Sequence, residues 1–151
     1  MPEPIVELIA QNVATTLATV TTANGYQYNL AVERPHRRDQ LPRLRDQLVI
    51  PYMGDPLVQD GPLSKTQYQQ PFFILFFAAV ASGSQVETKV NRITADIIKA
   101  LMVDRTRGGY AIDTMAGEWA EFDDVPAGMD GRVVQIDVQY RVQQNNPYNQ
   151  G

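Results

Sequence analysis

The sequence predicts an α+β fold: a mostly antiparallel β-sheet of four to five strands with two helices packed on one face. Three observations carry this reading. Phe72 to Ala81 is the only long unbroken apolar run, which reads as a strand covered on at least one face. Gln85–Met102 follows it after Ser82-Gly83-Ser84, and Val86, Val90, Ile93, Ile97 and Leu101 recur there at steps of four and three, the pattern of an amphipathic helix. In Arg132–Val142, Val134, Ile136, Val138, Tyr140 and Val142 alternate with Gln135, Asp137, Gln139 and Arg141, the pattern of a strand in a sheet with one solvated side. Strands grouped together with helices between the groups point to an α+β sandwich. With 151 residues and no repeat or linker, one domain over 1–151 is expected.

The remaining elements follow in order. Pro4 precedes Ile5, and Ile5, Leu8, Ile9, Val13, Leu17 and Val20 hold a helical stripe to about Thr21, stopped by Ala23-Asn24-Gly25. Tyr26, Tyr28, Leu30 and Val32 alternate with polar neighbours, a strand that Pro35 ends. Leu48–Met53 reads as a short strand, placed at an edge or bulge by Pro51. Gly54-Asp55-Pro56 and Asp60-Gly61-Pro62 bracket a long loop or arm at 54–70, whose polar end, Ser64–Gln70, leads into the central strand. Asp104 to Gly109 ends the second helix, and Tyr110–Thr114 is a brief strand. Met115–Gly131 is acidic and irregular, with Trp119 and Phe122 turned inward, and 143–151 is a flexible polar tail.

Composition excludes several chemistries. There is no Cys, hence no disulfide or thiolate site, and only one His. The apolar run is half the roughly 20 residues a membrane helix needs, and the Met1-Pro2-Glu3-Pro4 start lacks the basic region of a signal peptide, so no membrane partner is expected. A net charge of −4 argues against nucleic acid as the main partner. Gly108-Gly109 follows a helix, which makes it a turn and not a phosphate cradle, and Ser82-Gly83-Ser84 reads as an N-cap. His36 sits among arginines that disfavour its protonated form, with no nucleophile linked to it. Glu118, Glu121, Asp123 and Asp124 lack the spacing of a calcium loop and read as a solvated acidic segment. No catalytic residue, cofactor or metal is expected.

Charge layout is more informative. Residues 34–45 carry Arg34, Arg37, Arg38, Arg43 and Arg45 against Asp39 alone, whereas 113–130 carries six acids and no base. Three arrangements answer to this: two solvated loops, pairing within one subunit, or a head-to-tail contact between subunits that closes as a ring. The subunit-interface candidates are Arg34, Arg37, Arg38, Arg43 and Arg45 on one flank and Glu121, Asp123 and Asp124 on the other.

The order of elements carries a resemblance. An N-terminal helix, a Tyr26-to-Val32 strand ending in Glu33-Arg34-Pro35, a proline-bearing second strand, a strand–helix unit, and a last strand Gln135–Arg141 followed by Asn146-Pro147-Tyr148 together resemble the tail terminator (tail completion) proteins of long-tailed bacteriophages. The likeness runs from about Ile5 to Tyr148. It implies an α+β subunit of a hexameric ring that caps the tail tube, stops its polymerisation and meets the head–tail connector or neck proteins. Genomic DNA would pass only through the lumen, and the place of action would be the virion. Segment 54–70 departs from the family pattern. The rival readings are another neck or head-completion protein, and a small-molecule-binding domain with a pocket lined by Tyr26, Tyr28 and Trp119.

Overall fold

A computed structural model describes residues 2–35, 42–80 and 85–151. It is an α+β fold with two helices and a mixed seven-stranded sheet, larger than the expected four to five strands. The spine is a pair of long strands. β4 (Lys65–Ala79) runs antiparallel to β6 (Met129–Gln143) in unbroken register from Lys65↔Gln143 to Ala79↔Met129. Each has 15 residues, about 50 Å of extended chain. Two strands flank each side of the spine. β2 (Leu48–Met53) and β3 (Leu57–Gln59) pair with successive parts of β4, and β5 (Asp113–Glu121) and β7 (Asn146–Gln150) pair with β6. β1 (Ala31–Val32) adds to β2 in parallel and makes the sheet mixed.

Helix α1 (Ile5–Ala18) buries Ile5, Ile9, Val13 and Leu17, the stripe its spacing demands. It stops before Thr21. A single 3₁₀ turn, Thr22–Asn24, follows, with the Thr21 hydroxyl accepting from the Asn24 N–H and Gly25 at φ 90° reversing the chain, a conformation glycine adopts without a Cβ clash. Helix α2 (Val86–Val103) buries Val90, Ile93, Ile97, Ala100 and Leu101. Both helices pack on one sheet face, against Val49, Phe72, Ile74, Phe76, Ala78, Val134, Ile136 and Val138. The β4 run is apolar at every position because its alternate residues serve two clusters. Phe72, Ile74, Phe76 and Ala78 face the helices, while Leu75 and Phe77 face away.

Four expectations need correction. The strand expected over 26–32 survives only as Ala31–Val32. The backbone N–H groups of Gln27 and Tyr28 donate to the Asp96 carboxylate on α2, at 2.9 and 3.2 Å, and that of Asn29 donates to the Gln47 side-chain oxygen at 3.1 Å. Side chains thus take donors that a strand ladder would have used.

Segment 54–70 is a hairpin: β3 pairs with the first part of β4, Leu57↔Gln69 to Gln59↔Gln67, around the Asp60-Gly61-Pro62 turn. β5 runs on to Glu121, through residues read as irregular, with a register shift between Ala116 and Trp119 that hid its alternation. Phe122 is tucked in, edge-on to Phe77, but Trp119 is 54% exposed. The 143–151 tail forms β7, a hairpin return on β6 in which the Gly151 N–H reaches the Arg141 carbonyl at 3.2 Å.

Pro51 sits inside β2 without breaking it. The Gly54 N–H bonds the Pro71 carbonyl on β4, while the Glu33 N–H bonds the Val49 carbonyl on the other side. Odd-numbered β2 residues therefore turn their backbone groups away from β4, and the Pro51 nitrogen points past the end of β1, where no ladder needs a donor.

Candidate functional site

The helices cover one face of the sheet, and the other is open. Its two ends differ in chemistry. At the hairpin end it is a polar ladder: the Gln67 amide donates to Gln59, the Gln59 amide donates to Gln69, both at 3.0 Å, and Arg141 Nε donates to the Gln67 oxygen at 2.7 Å. These residues lie opposite one another in the β3–β4–β6 register, so each side chain finds its partner on the next strand.

At the other end the face is apolar. Leu48, Ile50, Leu75 and Phe77 are buried there, with Leu44, Tyr52, Phe122, Val125, Met129 and Val133 packed around them. Residues 122–129 fold over only part of this cluster. Beside them lies a trough of about 390 Å³ lined by Tyr52, Phe73, Leu75, Phe122 and Val133. A shallower hollow of about 130 Å³ adjoins it, sharing Phe73 and Val133 and adding Glu118, Trp119, Ala120 and Gln135. Burial pushes the Tyr52 hydroxyl above its ordinary value.

The charged flanks stand on either side of this trough. The basic stretch leads into β2, the acidic one leaves β5, and β4 and β6 lie between. Several of the charges pair within the chain. Arg34 makes a two-pronged contact with Glu7 on α1 at 2.8 and 2.9 Å. Those hydrogen bonds hold the Glu7 carboxyl below its usual range, against a smaller opposing effect of burial, and raise Arg34. Arg45 pairs with Glu33 at 3.1 Å.

Glu121 pairs at 3.0 Å with Arg132, a buried guanidinium that also bonds Asn91 and Thr94 on α2. Arg43, Asp123 and Asp124 are exposed and join no ion pair among the described residues. Arg37, Arg38 and His36 lie outside the described residues, as does Ser82-Gly83-Ser84.

Other candidates separate. Tyr26 and Tyr28 pack against the helix-side core, with the Lys99 ammonium 5.1 Å from the Tyr26 ring centroid, whereas Trp119 borders the open-face hollow. The pocket expected from these three is not formed. Among the described residues no three His, Asp or Glu side chains come together as a metal site, and no helix is long and apolar enough to cross a membrane. The trough itself escaped sequence reading. Its signals were the paired Phe72-Phe73 and Val133-Val134, where consecutive apolar residues must face opposite sides. No protein-family model matches this chain, and no curated protein matches it.

Proposed function

We propose that this chain is a structural protein of a tailed-phage virion, a tail terminator that assembles as a ring, caps the tail tube, stops its growth and offers the surface that meets the neck. The reading rests on the resemblance in element order. The observation that carries it furthest is the strand order β1-β2-β4-β6-β5, which sets a basic edge and an acidic edge on opposite sides of a helix-free sheet face. A subunit with unlike edges makes heterologous contacts, and such contacts close into rings when the rotation permits. The internal pairing of Arg34, Arg45 and Glu121 leaves Arg43, Asp123 and Asp124 as the exposed charges of the two edges. Exposed ion pairs contribute at most about 1 kcal/mol each, so the internal ones can exchange partners at an interface. The mechanism is assembly alone, with the tail tube and neck proteins as partners, DNA only in the bore, and the virion as the place of action.

The test is charge reversal. Arg43→Glu should reduce ring formation measured by light scattering, and Asp123→Arg with Asp124→Arg in the same chain should restore part of it. Ring mass unaffected by either change would contradict the edge pairing.

A further inference from the structure

We infer that the apolar trough on the open face is the seat of a second copy of this chain, which enters by its basic edge, the stretch from Arg34 to Arg45. This deepens the ring reading above and rests on it.

The trough has an apolar floor of Tyr52, Phe73, Leu75, Phe122 and Val133. Its border is acidic. Glu118 lines the adjoining hollow, and Asp123 and Asp124 directly follow Phe122 and are exposed. None of the three joins an ion pair among the described residues. An apolar floor inside a carboxylate border selects an occupant that carries apolar groups among cations.

One stretch of this chain has that composition: five arginines with Leu41 and Leu44 between them. Within its own subunit it lies on the β2 side, where Leu44 packs on the outer cluster, while the acidic border lies on the β5 side. A copy displaced sideways by one sheet width brings its basic edge onto its neighbour's acidic edge. Repetition of that step uses every subunit in the same way.

The other exposed apolar feature is the β3–β4 hairpin, with Leu57, Val58 and Leu63 in water. It carries Asp55 and Asp60 against Lys65 alone, so the acidic border disfavours it as the occupant.

Because the chain has no cysteine, a cross-link tests this cleanly. Arg43→Cys and Gln135→Cys chains are purified separately, checked for folding by circular dichroism, mixed and mildly oxidised. Glu118→Cys, at an exposed position, is the second receptor variant should Gln135→Cys fold poorly. The mixture should yield a disulfide-linked species of twice the 16.9 kDa chain mass that neither chain yields alone. Adding Asp123→Lys and Asp124→Lys to the receptor chain should abolish it.

Ring mass by light scattering without the mixed dimer overturns the seat and leaves the ring standing. A link formed only inside a chain bearing both cysteines overturns the seat as well, placing the basic stretch over its own trough. Monomers throughout, with no link, overturn the ring and the seat together.

Discussion

Arg132 on β6 and Glu121 on β5 stand opposite each other in register and pair at 3.0 Å, one guanidinium joining the sheet edge to Asn91 and Thr94 of α2. Arg132 is only 5% exposed and its Nε has no partner, while Glu121 lies largely in water. The pair is therefore asymmetric. Glu121→Ala should cost about 1–3 kcal/mol by urea unfolding, because it strands a buried cation. Arg132→Met, similar in length and without charge, should cost less than Glu121→Ala. The reverse order would show that the guanidinium's bonds to α2 outweigh its burial.

Asp96 ties the 26–29 segment to α2 through two backbone N–H groups. Asp96→Ala should destabilise the chain by about 1.5–3 kcal/mol, since it strips a charged acceptor from buried donors. Asp96→Asn, which keeps one acceptor oxygen, should recover part of the loss. Hydrogen exchange at the Gln27 and Tyr28 amides is the direct measurement, with protection falling in Asp96→Ala.

Gly54 bounds the trough from behind. A Cβ there would lie 2.4 Å from the Phe73 ring, so Gly54→Ala must push that ring out of place. The expected cost is about 1–3 kcal/mol in stability. Assembly should weaken beyond what lost folding explains, read as a larger fall in ring mass than in folded fraction. Equal falls would detach Phe73 from the interface.

Acid sensitivity follows from carboxyls held low in the folded chain. Hydrogen bonds from Arg34 lower Glu7 from its ordinary 4.5, and hydrogen bonds from Thr106 and Gly108 lower Asp104 from 3.8. In the window just below those ordinary values the unfolded chain binds more protons than the folded one. Stability is therefore full above about pH 5 and falls as pH drops through the folded values. Arg34→Met should flatten part of that fall in urea midpoints taken between pH 5 and 3. The effect should be small, because Arg34 and Glu7 are partly solvated.

At the alkaline end Tyr140 behaves in the opposite sense. Burial, with its stacked neighbour Tyr68 5.3 Å away contributing, pushes its hydroxyl up to about 12. The folded chain keeps a proton that the unfolded chain loses near 10, so stability should decline from about pH 10 upward. Tyr140→Phe should remove that component, as seen in tyrosinate absorbance and unfolding midpoints together.

Periodicity exposed the elements whose pattern one face dictates: the α1 and α2 stripes, and the Val134-to-Val142 alternation that the structure buries residue by residue. It failed where tertiary partners decide. Nothing in Tyr26-Gln27-Tyr28 announces that an aspartate far along the chain takes its backbone donors. The register shift after Ala116 hid the length of β5, and the Pro/Gly clusters around Leu57–Gln59 masked a strand only three residues long. Charge blocks were plain in the sequence, but their internal partners were not. Glu7 and Arg34 lie 27 residues apart and meet only because α1 packs beside the end of β1.

Light scattering of the purified chain, alone and after addition of tail tubes, tests the central claim most directly. The account predicts a closed ring, six subunits by the family resemblance, either free or on the tube ends, with tube growth arrested where it binds. A chain that stays monomeric in both conditions and leaves tube length unchanged would contradict it.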